Sequence, residues 1–378
     1  MAMRAAEPKL LDKLQDLNWL VVGLVTVIAA IGFAMLFSVA QGSFQPWAAP
    51  QMARFGIGFV IMIAIALVNI RFWMSLAYPA YAIGLLGLLA VEVFGKVGKG
   101  AERWLEIGPV QVQPSEFMKL ALILALARFL HTLSVDNVSS IRNLVVALLM
   151  IAAPVGLVLL QPNLGTATIL AAVGVGMLFV AGLSWKIIIP AACLAVAAVP
   201  VGWQFLHDYQ KERVYTFLEP NRDPLGAGYN ILQSKIALGS GGVFGKGFLN
   251  GTQSRLNFLP EKQTDFIFTV LGEEFGLMGL VFLMLLYCAV LASGAVIALQ
   301  SRSHFGRMVA TGVCLNLFLY ILINCSMSMG LIPVVGIPLP LVSYGGTALI
   351  AVMAGMGLLL SAQVHRGVEI SRLAAEPW

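Results

Sequence analysis

A succession of long apolar runs is the feature that most restricts how this chain can fold. Only 11% of its 378 residues are charged and 59% are hydrophobic. A soluble domain has about 25% charged residues, so the chain lacks the polar side chains needed to cover a protein in water. A membrane-spanning helix needs roughly 20 mostly apolar residues, and such runs recur along the sequence. The sequence therefore predicts an all-α integral membrane protein, since the short alternating segments of a membrane barrel are not seen in it.

Ten apolar runs are predicted to cross the membrane, all within one polytopic domain that occupies residues 1–378. Their approximate limits are 19–40, 55–70, 74–95, 115–131, 143–161, 165–183, 186–204, 266–299, 308–330 and 344–364. Residues 205–265 have few apolar runs but contain aromatic residues and a helix-like segment, Tyr229–Leu238. Structureless loops of that length are uncommon. We therefore expect 205–265 to form a large, ordered extracytoplasmic loop between the seventh and eighth helices.

The distribution of lysine and arginine predicts the orientation, because cytoplasmic loops are enriched in these residues. With the N-terminus in the cytoplasm, eleven basic residues face inward, and the short outer loops 41–54, 162–164 and 331–343 contain only Arg54. An even number of spans returns the C-terminus to the cytoplasm. The run 19–40 is too long for a signal peptide and is interpreted as an uncleaved first helix. The net charge of +5 reflects these orientation signals, and we expect no nucleic-acid partner.

The cysteines point to no disulfide or metal site. All four lie inside apolar runs, with no CxxC pair and no histidine at metal-ligand spacing, at Cys193, Cys288, Cys314 and Cys325. Cysteines in such positions are usually small buried hydrophobes.

The first of three polar clusters combines residues 102–104 with Gln113–Lys119. Pro114 and Ser115 predict the start of a helix. Glu116 and Lys119 are three residues apart and so share one face of that helix. An interfacial ion pair with a snorkelling lysine is the alternative. A functional pair is favoured because these ionisable groups enter the span, where charge is costly.

The second cluster, Gln161–Thr166, lies between two predicted spans. Proline and glycine in this segment are typical of a turn. A tight connection between two helices is at least as well supported here as contact with a ligand.

The third cluster runs from Phe258 to Phe268 and is followed by Glu273 and Glu274. Its central carboxylate, Asp265, lies where the long outer loop meets the lipid. Thr264 or Asp265 could simply cap the next helix, since such residues are common caps. Against that interpretation, acidic and basic groups converge at one membrane boundary.

Two glycine-containing segments lie on the same side of the membrane. Leu238–Gly247 is dense in glycine, and such backbone can form nests of N–H groups that hold phosphate oxygens. Residues 336–346 are predicted to be partly unwound and re-entrant, which is tolerated where protein buries the backbone or where it lines a cavity. Together the clusters indicate an outward-facing site beside lipid, which suits a phosphorylated lipid substrate.

At these residues the chain resembles the SEDS family of bacterial cell-wall proteins (shape, elongation, division and sporulation). The segments that carry the resemblance are Gln113–Lys119, Gln161–Thr166, Gly239–Gly242, Phe258–Phe268 and Pro340–Gly346. Residues 250–258 resemble the members of the family that act in cell elongation more than those that act in division. Family members often carry aspartate where this chain has Asn163, which weakens the case for a catalytic acid there.

The resemblance implies a peptidoglycan glycosyltransferase that polymerises lipid II outside the cytoplasmic (inner) membrane. It also implies a class B penicillin-binding protein as transpeptidase partner, with other membrane proteins of the elongation machinery. In the implied reaction a sugar hydroxyl attacks an anomeric carbon, polyprenyl pyrophosphate leaves, and Asp265 acts as general base. The residues expected to bind substrate are Arg103, Trp104, Glu116, Lys119, Gln161, Gln233, Lys235, Lys246, Glu261, Lys262, Thr264 and Ser343. No cofactor is certain, although a divalent cation (magnesium or manganese) held by Asp265 or Glu116 would help neutralise the pyrophosphate.

Two other functions remain open from the sequence. A lipid II flippase would use the same lipid, but it needs polar groups through the whole membrane depth, whereas the ionisable residues here concentrate on one side. A non-catalytic scaffold of the cell-wall machinery would explain the spans but not the outer charged cluster.

Overall fold

Apolar helices make up most of the chain in the computed structural model, which describes residues 10–94, 96–98, 101–107, 110–204, 208–219, 227–256 and 258–371. The helices are α1 Leu10–Gln15, α2 Trp19–Val39, α3 Ala48–Leu67, α4 Ile70–Phe94, α5 Pro114–His131, α6 Val135–Val138, α7 Ile141–Leu160, α8 Leu164–Val180, α9 Trp185–Gln204, α10 Asp208–Leu218, α11 Ala227–Gly241, α12 Thr252–Arg255, α13 Ile267–Gln300, α14 His304–Ser328 and α15 Gly346–Val364. The strands are β1 Lys96–Gly98, β2 Ala101–Ile107 and β3 Val110–Val112.

Each of the ten predicted spans corresponds to one long helix. Seven described helices are long and apolar enough to cross a membrane, namely α2, α3, α4, α7, α13, α14 and α15. The other three predicted spans correspond to α5, α8 and α9. Helix α5 carries three charged residues, Glu116, Lys119 and Arg128, and α8 has only 17 residues. The chain is therefore a multi-pass membrane protein, while the total of ten spans stays a prediction.

Two details of the predicted architecture were wrong. The second span was expected to begin at residue 55, but α3 begins at Ala48. The early turns of that helix carry Gln51 and Arg54, which hid its start in the sequence. The expectation of an all-α protein also missed an antiparallel sheet in which β2 pairs with both β1 and β3. These strands have three to seven residues, too few to show a clear period of two.

The helices separate into a central and a peripheral group. In α15, 83% of the spanning segment is buried inside the protein, and in α14 61%, compared with 22% in α3, α4 and α7. Small residues allow this close packing: a Cβ added to Gly357 of α15 would lie 2.7 Å from the backbone oxygen of Met62 in α3. Because α5 is also buried along most of its length, its charged residues lie inside the helix bundle and not against lipid.

The long segment 205–265 is partly helical in its described residues, as expected. Tyr229–Leu238 lies within α11, which is fixed to the bundle by the hydroxyl of Ser234. That hydroxyl lies 2.7 Å from the hydroxyl of Thr269 and donates a hydrogen bond to the carbonyl oxygen of Ser328. The irregular segment 331–345 is also held by protein, since Ile337, Leu339 and Val342 are at most 3% exposed. The irregular backbone agrees with the prediction that this segment is partly unwound, while its re-entrant position stays a prediction.

Candidate functional site

The pair predicted from local spacing forms a buried polar cluster at the start of α5. Lys119 Nζ lies 2.7 Å from Glu116 Oε1, and both side chains are almost fully buried. Tyr320 of α14 completes the cluster. Its hydroxyl accepts a hydrogen bond from Lys119 and donates to the Glu116 carboxylate, with Oε2 at 2.7 Å. The Lys119 ammonium also lies 4.4 Å from the centre of the Tyr320 ring. The cluster is thus an internally compensated ion pair, and a surface snorkelling lysine is excluded.

Asp265 lies in a tight turn that precedes α13. The amides of Thr264 and Asp265 both donate to the carbonyl oxygen of Glu261, at 3.1 Å. Thr264 Oγ1 also donates to Glu261 Oε2 at 3.2 Å. The N-cap position of α13 is Phe266, whose side chain makes no capping hydrogen bond. Thr264 and Asp265 precede that position, so neither is the N-cap residue, and the half-buried Asp265 carboxylate is a candidate for a chemical role.

The irregular segment 336–345 packs directly against this turn. Ser343 Oγ donates to the carbonyl oxygen of Thr264 at 2.5 Å, and the amide of Tyr344 donates to the carbonyl oxygen of Gln263 at 2.8 Å. Gly336 has a positive φ of 72°, and a Cβ on it would lie 3.5 Å from Asp265 Oδ2. Glycine at 336 therefore leaves space beside the carboxylate. The Ser343 hydroxyl, predicted to bind substrate, is instead used to join the two segments.

Helix α14 connects the Asp265 turn to the buried cluster. Asn324 Nδ2 donates to the carbonyl oxygens of Asp265 at 3.0 Å and Ile337 at 2.7 Å. Tyr320 lies four residues earlier and therefore on the same helix face. The segment 338–349 and Tyr320 also line one narrow cavity. The structure thus brings together the two clusters that the sequence placed on the outer side, and Tyr320 and Asn324 are the residues that link them.

Two lysines predicted to bind substrate contact other parts of the protein. Lys246 Nζ donates to Glu273 Oε1 at 2.8 Å and to Thr252 Oγ1 at 2.7 Å. Lys262 Nζ donates to the carbonyl oxygen of Ser254 at 2.5 Å. Burial of the ammonium lowers the pKa of Lys262 below its ordinary value. Lys262 thus fixes the Asp265 turn to the segment that precedes it.

Glu273 organises that preceding segment. Its carboxylate accepts hydrogen bonds from the amides of Gln253 at 2.9 Å and Ser254 at 3.3 Å, so it satisfies backbone donors at the start of α12. Glu274 accepts from the amide of Leu249 and from the hydroxyl of Ser38 in α2. These two buried acids therefore hold residues 249–254 in place from inside the bundle.

Two amides of the glycine-dense segment, which was considered as a phosphate-binding nest, are engaged by the protein. The amides of Lys246 and Gly247 donate to the carbonyl oxygens of Glu273 at 3.0 Å and Glu274 at 2.9 Å. Those carbonyl oxygens lack their usual helical donors because α13 is interrupted at Gly276, where φ is 64° and ψ is −161°. A break in a neighbouring helix therefore uses the donors that the sequence suggested for a ligand.

The turn after α7 has a structural role. Gln161 is buried, and its Nε2 donates to the carbonyl oxygen of Leu88 at 2.8 Å. Asn163 accepts a hydrogen bond from the amide of Thr166 and caps α8. The structure supports the interpretation of this segment as a tight helix connection, and the Gln161 amide is engaged by the protein.

The remaining predicted ligands lie apart from these contacts. Trp104 is half-buried in β2, opposite Lys96. Arg103 is in the same strand, but its side chain lies outside the described residues. Lys235 is exposed on α11, and its side chain passes over Gly330. Gln233 is on the same helix and is partly exposed. Strand β3 contacts the start of α15 through Thr347, whose hydroxyl donates to the carbonyl oxygen of Gln111 at 3.0 Å.

Two site residues at the start of α3 were missed by sequence reasoning. Gln51 is fully buried, donates to the carbonyl oxygen of Ser343 at 2.9 Å and accepts from the amide of Gly345. One turn further, the Arg54 guanidinium lies 4.8 Å from the centre of the Tyr344 ring. Its buried Nη1 has no hydrogen-bond partner among the described residues. Arg54 could have been suspected, because it is the only basic residue in the short outer loops.

Metal ligands are few in this region. Within the described part of the chain, no three histidine, cysteine, aspartate or glutamate side chains are grouped so that they could hold a metal ion. A divalent cation at Asp265 would therefore need oxygen ligands from substrate phosphates and from water, which is the usual mode for magnesium.

Comparison with known proteins identifies the family. A family model for FtsW, RodA and SpoVE, described as cell cycle protein, matches residues 10–367. The chain belongs to this family.

Individual relatives agree with that assignment. The chain is 50% identical over 287 residues to peptidoglycan glycosyltransferase MrdB of Escherichia coli K12, covering 76% of this chain and 77% of the relative. It is 34% identical over 365 residues to stage V sporulation protein E of Bacillus subtilis, covering 96% and 98% of the two chains.

Solved structures share the fold. A chain of a peptidoglycan synthase complex, in work on the coordination of polymerization and crosslinking, matches with a TM-score of 0.81 at 33% identity, covering 93% of this chain and 98% of that one. RodA of Thermus thermophilus matches with a TM-score of 0.70 at 30% identity, covering 93% and 97%. These matches confirm the predicted family, and they support the prediction of a glycosyltransferase.

Proposed function

We propose that this protein is a peptidoglycan glycosyltransferase that polymerises lipid II at the outer face of the bacterial cytoplasmic membrane during cell elongation. The observation that carries the proposal is the position of Asp265. Asp265 precedes the N-cap position of α13, and its carboxylate lies beside the open position at Gly336. The backbone carbonyl of Asp265 accepts from Asn324, which lies one helical turn from Tyr320, the partner of the Glu116–Lys119 pair. A half-buried carboxylate held by rigid neighbours is suited to accept a proton from an attacking sugar hydroxyl.

The leaving pyrophosphate needs compensation of its negative charge. Arg54 is the best candidate to provide it, because a guanidinium can bind phosphate oxygens in a bidentate manner and its Nη1 has no acceptor in the described part of the chain. Lys235, which is exposed, is a second candidate. Lys119, Lys246 and Lys262 are held by protein acceptors, so in this proposal they shape the site. A divalent cation at Asp265 would share the charge compensation.

The proposal includes a membrane orientation and partners. Both termini are placed in the cytoplasm and residues 205–265 outside, on the basis of the basic residues in the short loops. The match to a chain of a peptidoglycan synthase complex supports a transpeptidase partner, a class B penicillin-binding protein, in an assembly with other elongation proteins.

The activity is tested with purified protein and labelled lipid II in detergent, with glycan polymer resolved on a gel. Polymer formation by the wild type supports the glycosyltransferase. Movement of labelled lipid II across vesicle membranes without polymer would support a flippase instead, and neither activity would support a scaffold.

The orientation is tested with single cysteines at Asn250 and Ser303 in a cysteine-free variant. An impermeant thiol reagent should label position 250 but not position 303 in intact cells. The reverse pattern would contradict the proposed topology.

A further inference from the structure

An exposed apolar hook projects from the interruption in α13. We define the hook as residues 242–249, which leave α11 and turn back towards α12. At its tip Val243 is 51% exposed and Phe244 is 82% exposed. Large apolar side chains with such exposure need a partner surface or an apolar solvent.

The hook is rigidly attached to a membrane helix. The amides of Leu277 and Met278 donate to the carbonyl oxygens of Gly242 at 2.9 Å and Val243 at 3.1 Å. In return the hook amides of Lys246 and Gly247 bind carbonyl oxygens before the break, at Glu273 and Glu274. Four backbone hydrogen bonds therefore fix the tip relative to α13, and the missing side chain at Gly276 permits this close backbone approach.

The attachment point lies near one boundary of the membrane. Residues 277–300, the part of α13 after the break, form about 36 Å of helix at 1.5 Å per residue, and the hydrocarbon core is about 30 Å thick. The later part of α13 can thus cross the membrane alone, with the break at the interface. Large apolar side chains at interface depth are common membrane anchors.

The hook continues the lipid-facing surface of α13. Immediately after the break, Leu277 is 54% exposed and Met278 is 58% exposed, and Phe282 and Leu285 extend the same exposed apolar surface. The hook contains a single ionisable residue, Lys246, and its ammonium is paired with the buried carboxylate of Glu273 at 2.8 Å. The tip therefore presents no uncompensated charge to lipid.

Aromatic rings support the base of the hook. The ring centre of Phe248 lies 6.1 Å from that of Phe275 and 6.4 Å from that of Phe37 in α2. The base is thus packed between two membrane helices, while Phe244 points away from this packing with most of its surface exposed.

We propose that the hook is a lipid anchor whose tip, Val243 and Phe244, inserts among the phospholipid acyl chains just below the headgroups on the side where α13 begins. Because Glu273 and Lys262 connect the segment after the hook to the Asp265 turn, the anchor also sets the depth of that turn relative to the membrane surface. The inference depends on the membrane placement of α13 and not on the proposed reaction.

The test uses spin labels on the full-length protein in vesicles of phosphatidylethanolamine and phosphatidylglycerol. In a cysteine-free variant, Phe244→Cys is labelled with a nitroxide, and its collision rates with oxygen and with a water-soluble nickel chelate are compared. Asn250→Cys, exposed and polar, is the aqueous control, and Leu285→Cys, exposed on α13, is the lipid control. Val243→Cys is a second tip position, and size-exclusion chromatography verifies that each variant is folded.

A lipid anchor requires an oxygen-to-nickel collision ratio at position 244 several-fold above that at 250 and close to that at 285. A ratio at both tip positions equal to that at 250 would overturn the proposal. Shielding of the tip from both reagents only after a partner protein is added would also overturn it, because the hook would then be a protein-docking surface. Loss of polymerase activity alone would leave these ratios unchanged, so the two proposals fail independently.

Discussion

The hydroxyl of Tyr320 donates to the carboxylate of Glu116 at 2.7 Å, across 204 residues of sequence and between helices α14 and α5. The same hydroxyl accepts from Lys119, so a single phenol holds both members of the ion pair. With Asn324 one turn away bound to the Asp265 backbone, the position of α14 determines how the buried cluster faces the candidate catalytic turn.

Replacing Tyr320 with phenylalanine should therefore reduce polymerisation as well as stability. The lost hydroxyl leaves a buried ammonium and a buried carboxylate each short of one partner, which costs about 1–3 kcal/mol. Tyr81→Phe is a matched control, because the Tyr81 hydroxyl also donates a hydrogen bond, to the backbone oxygen of Met150 at 2.8 Å, but does so away from the site. Thermal unfolding in detergent and gel-based polymer assays measure the two effects. Equal activity loss in both variants would contradict a specific role for Tyr320.

The ion pair itself allows stability to be separated from function. Glu116→Gln leaves Lys119 as a buried charge without its counter-ion, which typically costs about 3–5 kcal/mol. Adding Lys119→Met removes that uncompensated charge, so the double variant should regain much of the lost unfolding temperature. We expect its polymer synthesis to remain low, because the buried polar cluster that Tyr320 holds next to the Asp265 turn is gone. A double variant with wild-type activity would show that the pair is only structural.

The sequence predicted the part of the site whose residues lie close together along the chain. Pro114 starts α5 as expected, and the three-residue separation of Glu116 and Lys119 places them on one helix face. Tyr320 and Asn324 lie inside an apolar run far along the chain, and nothing local distinguishes them. Their roles appear only when α14 packs against α5 and against segment 336–345.

The wrong predictions have a related cause. The glycine-dense segment was expected to offer amide donors to phosphate, but those of Lys246 and Gly247 are taken by the carbonyls freed at Gly276. Likewise aspartate is a common N-cap residue, yet Phe266 occupies the N-cap position of α13, and the amide of Asp265 donates to the carbonyl oxygen of Glu261 in a turn. In both cases a backbone carbonyl that residue types alone do not reveal determines the hydrogen bonding.

Lys262 gives a pH-dependent prediction for stability. Burial lowers its pKa in the folded protein, so between that lowered value and about 10.4 the unfolded state binds more protons at this residue. Stability then rises with pH across this window, and the unfavourable contribution is fully present below the folded-state pKa. The unfolding temperature of the wild type should therefore rise relative to that of Lys262→Met as pH rises through the window. A difference independent of pH would indicate that Lys262 is not buried as an ammonium.

The decisive substitution is Asp265→Asn. The amide preserves size and one acceptor oxygen, and because Asp265 is not the cap of α13, we expect the unfolding temperature to change little. An amide cannot accept the proton of the sugar hydroxyl, so polymerisation should fall by about 10²–10⁴-fold, the usual contribution of a positioned general base. Glu261→Gln is the matched control, since this second carboxylate lies in the same turn and should keep substantial activity.

The loss in Asp265→Asn could also arise from a missing metal ligand, and Asp265→Glu separates the two causes. Glutamate can still accept a proton and still bind a cation, but from a displaced position. If a cation is involved, added magnesium or manganese should partly restore the activity of Asp265→Glu. This variant should also need a higher cation concentration than the wild type for half-maximal activity. If Asp265 acts as a base alone, its residual activity should not depend on the added cation beyond the dependence of the wild type. Near wild-type polymer synthesis by Asp265→Asn would reject both roles and make Glu261 the carboxylate to test next.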